Sequence, residues 1–95
     1  MIAVYAKNII KEIHIEKFMS LAKPLIEETR KENGNISYEL IRVMDRVNEF
    51  AFLEKWENKD VLDAHMKTEH FTRLIPQISE LLKEDMSVEI HEVII

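Results

Sequence analysis

"ISYELIRVMDRVNEFAFLEKWE", residues 36–57, decides the fold. Its two arms, ISYELIRV (36–43) and EFAFLEKWE (49–57), carry the β-branched and aromatic residues of strands. The segment MDRVN between them has the length of a hairpin loop. Just upstream, ENGN (32–35) is a stop signal, because Gly34 suits the left-handed position after a helix. Before that stop the apolar period is helical. Ile15, Phe18, Met19, Ala22, Leu25, Ile26 and Thr29 share one side of a helix expected to run to about Glu32. Pro24 lies inside it and is expected to bend it, since proline removes a backbone donor. Residues 2–7, IAVYAK, alternate and open the chain as a strand.

Downstream of the hairpin, Asn58 suits a helix N-cap, with Asp60 near the positive helix end. A short helix to about Met66 follows. Thr68 caps a second one, with Phe71, Leu74, Ile75, Ile78, Leu81 and Leu82 as its apolar stripe. Pro76 is expected to break that helix into two pieces. MSVEIHEVI (86–94) closes as a strand. The order β-α-β-β-α-β predicts an α+β, ferredoxin-like domain, an antiparallel sheet with helices on one face. Residues 1–95 make that single domain. A chain of 95 residues buries only about 60–65% of its extended surface. The strands keep apolar residues for the uncovered side of the sheet, so a homodimer packing sheet to sheet is expected.

Composition removes several functions. A net charge of −5, spread along the chain, argues against a nucleic-acid partner, which needs a basic patch. The absence of cysteine excludes disulfides, a thiol nucleophile and Cys-ligated metal, and fits a cytoplasmic protein. A single glycine excludes the phosphate-cradling loops of nucleotide-binding folds. The N-terminus MIAVYAKNIIK lacks the basic-then-apolar pattern of a secretory signal, and no stretch approaches the ~20 apolar residues of a membrane span.

What remains is EKWENKDVLDAHMKTEHF, residues 54–71. Strand alternation puts Phe50, Phe52, Glu54 and Trp56 on one face. Glu54 is thus an acid among aromatics: either a carboxylate paired at the sheet edge or a partly buried proton carrier. His65 shares the apolar helix face of Val61 and Leu62, and His70 falls in the first turn of the next helix. A lone histidine on an apolar face is most often structural. Two of them beside an acid and a tryptophan suit proton transfer near neutrality. The spacing His-x4-His does not place two ligands on one helical face, and nothing fixes Glu54 as a third, so no metal is expected. Tyr5 and Tyr38 are expected in the core or at its rim, His14 and His91 in solvent, and EETRKEN as a wet helix face.

ENGNISYEL and FAFLEKWENKDVLDAHMKTEHF together resemble the antibiotic biosynthesis monooxygenase family, over most of the chain. The run Glu54-x-Trp56, then Ala64-His65, then Thr68-x-His70 resembles its small quinol monooxygenases. The resemblance implies a dimeric α/β barrel and an oxygenase that uses no metal, flavin or haem. In such enzymes the protein deprotonates an electron-rich phenol or quinol, and the anion itself reduces O2. The site residues implied are His65, His70 and Glu54 as catalytic groups, with Trp56 as a pocket wall stacking on the ring. Tyr38, Asn35, Ser37 and Phe52 are implied as further substrate contacts. Where the aromatic-polyketide branch has an asparagine, this chain has Phe52. The haem-degrading branch resembles this chain at Asn8, but has Trp in place of His65 and needs a histidine where Ile75 stands. A third branch, isomerases of a phosphorylated signalling dione, shares the two-histidine stretch and generally has Tyr in place of Trp56. The sequence therefore predicts a cofactor-independent monooxygenase whose partners are itself, a small aromatic or quinol-like substrate and O2. An isomerase or small-molecule binder on the same pocket is the alternative, and a dimeric domain without chemistry the third reading.

Overall fold

A computed structural model describes residues 1–95. The strands are β1 (Ile2–Ile9), β2 (Asn35–Arg42), β3 (Glu49–Trp56) and β4 (Ser87–Glu92). A short 3₁₀ turn, Glu12–His14, leads into α1 (Ile15–Thr29), while α2 (Lys59–His65) and α3 (Glu69–Ser79) lie between β3 and β4. The sheet runs β2-β3-β1-β4, with every neighbouring pair antiparallel. This is the ferredoxin-like α+β arrangement that the element order predicts.

Alternation along the strands sorts the side chains. Val4, Ala6, Asn8, Phe50, Phe52, Glu54 and Trp56 are buried on the helix-covered face. On α1 the buried residues Phe18, Ala22, Leu25 and Thr29 recur at helical spacing and meet that face. Phe18 lies 5.1 Å from Phe50 and 6.2 Å from Phe52, ring centre to ring centre. Leu74 and Ile78 of α3 complete the core. Both expected caps form: the Asn58 side chain accepts from the Val61 N–H at 3.0 Å, and Thr68 Oγ1 accepts from the Phe71 N–H at 3.3 Å.

Five expectations need correction. Helix α1 ends at Thr29, short of Glu32, because the next amides bond three residues back: Lys31 to the Glu28 carbonyl and Glu32 to the Thr29 carbonyl. Pro76 does not break α3. The carbonyl it leaves without a donor belongs to Thr72, which is exposed and open to water, as is Ser20 behind Pro24 in α1. The first strand continues to Ile9, held by pairing with Glu49, and the last ends at Glu92. The apolar stripe of α3 stops at Ile78, and Leu81 and Leu82 are buried from the turn beyond it.

Gly34 adopts φ +87°, and a Cβ there would stand 2.6 Å from Val61 Cγ1. The turn before β2 thus presses directly on α2. No helix is long and apolar enough to cross a membrane.

Candidate active site

Between the sheet and α2–α3 lies a cavity of about 90 Å³. Val4, Ala6, Phe52, Leu62, Phe71 and Ile75 are among its apolar walls, and its polar groups are Glu54, His65 and Tyr38. At the mouth, Val88 and Ile90 of β4 are 53% and 48% exposed.

Glu54 reaches the cavity from β3 and is 5% exposed. Its Oε1 accepts a hydrogen bond from Trp56 Nε1 at 2.9 Å. Burial raises its pKa to about 7; the Trp56 bond pulls it down, and the nearby charge of Glu32 pushes it up. Near neutrality this carboxyl both gives and takes a proton. Tyr38, on β2 opposite Glu54, is buried. Desolvation, then the charges of Glu54 and Glu32, hold its pKa well above that of a free phenol. Its hydroxyl therefore remains a hydrogen-bond donor.

His65 ends α2 and is 2% exposed. Its ring is wedged between Trp56, 4.6 Å away, and Phe71, 4.9 Å away edge-on. His65 Nδ1 lies 2.7 Å from Glu32 Oε2, and His70 Nε2 lies 2.6 Å from the same oxygen. A carboxylate only accepts, so both ring nitrogens donate N–H to it. This fixes the His65 tautomer: the lone pair is on Nε2, the ring nitrogen away from Glu32. Burial lowers the His65 pKa, and the bond to Glu32 works against that shift.

The residues named from sequence divide accordingly. Glu54, His65, Tyr38 and Phe52 line the cavity. His70 does not; it meets His65 only through Glu32, with ring centres 6.2 Å apart. Trp56 is fully buried behind the cavity, where it holds Glu54 and packs on His65 instead of offering a wall to a ligand. Asn35 spends its amide on the Ser37 and Lys55 carbonyls, and Ser37 lies one residue off Tyr38 in the alternation, on the opposite side of the sheet. Neither reaches the cavity. Asn8 is buried with its amide on the Ala6 carbonyl, outside the cavity. Ile75, where haem-degrading relatives would need a histidine, is an apolar wall.

Glu32 is the residue that sequence reasoning missed, having placed it on a wet helix face. The tightened turn after Thr29, closed by the Asn35 N–H on the Glu32 carbonyl, takes it off the helical surface and under the histidines. One signal pointed that way: two histidines directed inward need a buried acceptor.

Comparison with known proteins matches residues 1–77 to the profile of a family described as antibiotic biosynthesis monooxygenase. YcnE of Bacillus subtilis (strain 168), named as a proposed monooxygenase, is 33% identical over 88 residues, 93% of each chain. A crystal structure described as an antibiotic biosynthesis monooxygenase superposes with a TM-score of 0.94 at 34% identity, covering 99% of both chains. A conserved protein from Methanosarcina mazei Go1 superposes with a TM-score of 0.93 at 37% identity, covering 95% of this chain and 89% of that one.

Proposed function

The chain belongs to the antibiotic biosynthesis monooxygenase family, and from that membership we propose that it is a cytoplasmic, cofactor-independent monooxygenase of a small quinol or phenol. One observation carries this reading: an apolar cavity whose polar groups are a carboxyl with a pKa of about 7 and a histidine held in one tautomer by a carboxylate. Cofactor-free oxygenation asks little more of a protein. It needs a dry pocket, an acceptor for the substrate proton and donors for the anion.

His65 Nε2 takes the phenolic proton, and Glu32 steadies the imidazolium through Nδ1–H. Tyr38 donates to the substrate oxyanion. The anion passes an electron to O2, and the two radicals join to form a peroxide on a ring carbon that carries hydrogen. Glu54 protonates the outer peroxide oxygen, which leaves as water with the hydrogen of the ring carbon as that carbon becomes a carbonyl, and the proton taken by His65 restores Glu54. One oxygen atom stays in the product and the other leaves as water, so the substrate provides all four electrons.

The cavity is smaller than the ~150 Å³ apolar cavities known to take benzene. A single-ring substrate therefore fits only if the flexible Met66 and Met86 side chains give way, as methionines readily do. The reading includes a homodimer. Ala3, Tyr5, Ile9 and Leu53, on the sheet face away from the helices, are only partly covered, and Ile41 beside them is exposed.

Oxygen uptake by chelator-stripped protein against a panel of one-ring quinols is the test. Activity is expected in the wild type, with a roughly 10²–10⁴-fold loss in His65→Ala, the usual effect of removing a general base. If the folded wild type consumes no oxygen but a thermal-shift screen finds a dione that binds, the isomerase or binder reading replaces this one.

A further inference from the structure

We propose that Glu32, His65 and His70 form a binding site for a divalent transition-metal ion of the zinc class, whose occupancy switches off the cavity base. The three ligand atoms, Glu32 Oε2, His65 Nδ1 and His70 Nε2, lie within 4.8 Å of one another. They come from the turn before β2, the last residue of α2 and the second residue of α3. The His-x4-His spacing argues against a metal only if one helix carries both rings. Here two helices bring them together, and Glu32, not Glu54, is the third group.

Imidazole nitrogen and carboxylate oxygen are donors for zinc, cobalt and nickel, at about 2.0–2.2 Å. Tetrahedral bonds of that length put the ligand atoms about 3.3–3.5 Å apart. The carboxylate oxygen now sits 2.7 Å from one nitrogen and 2.6 Å from the other. To admit an ion it has to recede by less than about 1 Å, and the two nitrogens, held within 4.8 Å, have to come to about 3.5 Å of each other. Rotation about the bonds of the Glu32 side chain supplies that movement while the turn stays in place. Its side chain is 13% exposed and that of His70 14%, which gives the ion a path from solvent and leaves a fourth position for water.

The protons supply the switch. Each ring now offers an N–H to Glu32 and keeps its lone pair on the other nitrogen. A metal takes the lone pair of the nitrogen facing Glu32, so the proton must move across the ring. In His65 that puts N–H on Nε2, the atom that accepts the substrate proton. The base becomes a donor although the ring has not turned, and no proton is lost from either neutral imidazole. The site stands on its own geometry; its effect on turnover rests on His65 being the base.

The test uses the full chain, stripped of metal by a chelator. Calorimetric titration with Zn²⁺ is expected to give one ion per chain, with affinity falling tenfold or more in both His70→Ala and Glu32→Gln. The double variant His14→Gln/His91→Gln removes the other histidines and is expected to bind as the wild type does. Nitrogen NMR of the His65 ring is expected to show the proton transferred to Nε2 as the ion binds. With an active quinol, Zn²⁺ should suppress oxygen uptake at the concentrations that fill the site. Absence of stoichiometric binding overturns the proposal, as does binding unchanged in His70→Ala and Glu32→Gln or lost in the control. Binding with turnover unaffected overturns the switch. If no quinol is turned over, calorimetry and NMR still decide the site, so its failure is separable from that of the oxygenase reading.

Discussion

Glu54→Gln isolates one carboxyl whose cost to the fold depends on pH. The wild-type group has a pKa of about 7 in the folded chain against 4.5 for the free side chain, and burial is the main cause. A raised carboxyl pKa means that the folded state binds the proton more tightly than the unfolded state does. The stability it supports is fully present below about pH 4.5 and is lost as pH rises through about 7. At about 1.4 kcal/mol per pH unit, that interval comes to about 3 kcal/mol. Glutamine has the same shape, keeps an acceptor for Trp56 Nε1 and never ionises. Subtracting the wild type from the variant cancels the other titrating groups. The stability difference should therefore be flat below pH 4.5 and grow in favour of the variant to about 3 kcal/mol by pH 8. For a chain of this length that is on the order of 10–20 °C in melting temperature. Urea melts at several pH values between 4 and 8 measure it. Trp56 is the only tryptophan, and its indole N–H is bonded to this carboxyl, so its fluorescence reports the same event. A wild-type emission change centred near pH 7 should vanish in Glu54→Gln. A stability difference that stays constant across that range would refute the buried, proton-holding carboxyl and remove Glu54 from the proposed mechanism.

Two further outcomes are expected. Light scattering at micromolar concentration should return about twice the 11.3 kDa chain mass, since the half-covered sheet face calls for a partner burying more than ~1,000 Å² in total; a monomer mass would refute the dimer. Gly34→Ala should destabilise by about 1–3 kcal/mol, because φ is +87° and the added Cβ would lie 2.6 Å from Val61 Cγ1. Trimming Val61→Ala in that background should recover only part of the loss, and a neutral Gly34→Ala would show that the turn relaxes freely.

The fold was legible because its signals are local. Strand alternation from Glu49 to Trp56 and the Asn58 and Thr68 caps each act within a turn or a strand, and each holds in the structure; Gly34 is left-handed as expected, but it lies beyond the tightened turn that ends α1 and is not its cap. Pro76 misled for a physical reason. The carbonyl it orphans belongs to Thr72, an exposed residue, and sequence does not mark that exposure. The site was legible only in half. Glu54 and His65 could be placed on inward faces by periodicity, since each sits inside a regular element. Tyr38 follows from the same rule, as the residue paired with Glu54 across the β2–β3 ladder. Asn35 and Ser37 fail by it: the irregularity between them shifts the alternation at the start of β2, so proximity in sequence to Tyr38 says nothing about facing the cavity.

Glu32 was beyond periodicity altogether. It is one of 18 acidic residues, in a turn where neither the helical nor the strand period applies. What selects it is a long-range contact. Gly34 has no side chain, so Val61 packs onto its backbone, and that contact fixes the turn against α2. Val61 and His65 are one helical turn apart, so the carboxylate two residues before Gly34 is brought within reach of the imidazole one turn after Val61. The absence of a side chain at one position thus sets the partner of a buried histidine at another. The same contact makes the site depend on the turn: displacing residues 32–34 should loosen Glu32 from both rings and free the His65 tautomer. Gly34→Ala therefore serves as a probe of the site as well as of the fold. In that variant the His65 ring proton is expected to distribute between Nδ1 and Nε2 by NMR, while Glu54, anchored from β3 by Trp56, should keep its titration near pH 7. If the tautomer stays fixed in a destabilised Gly34→Ala chain, Glu32 is positioned by something other than this turn.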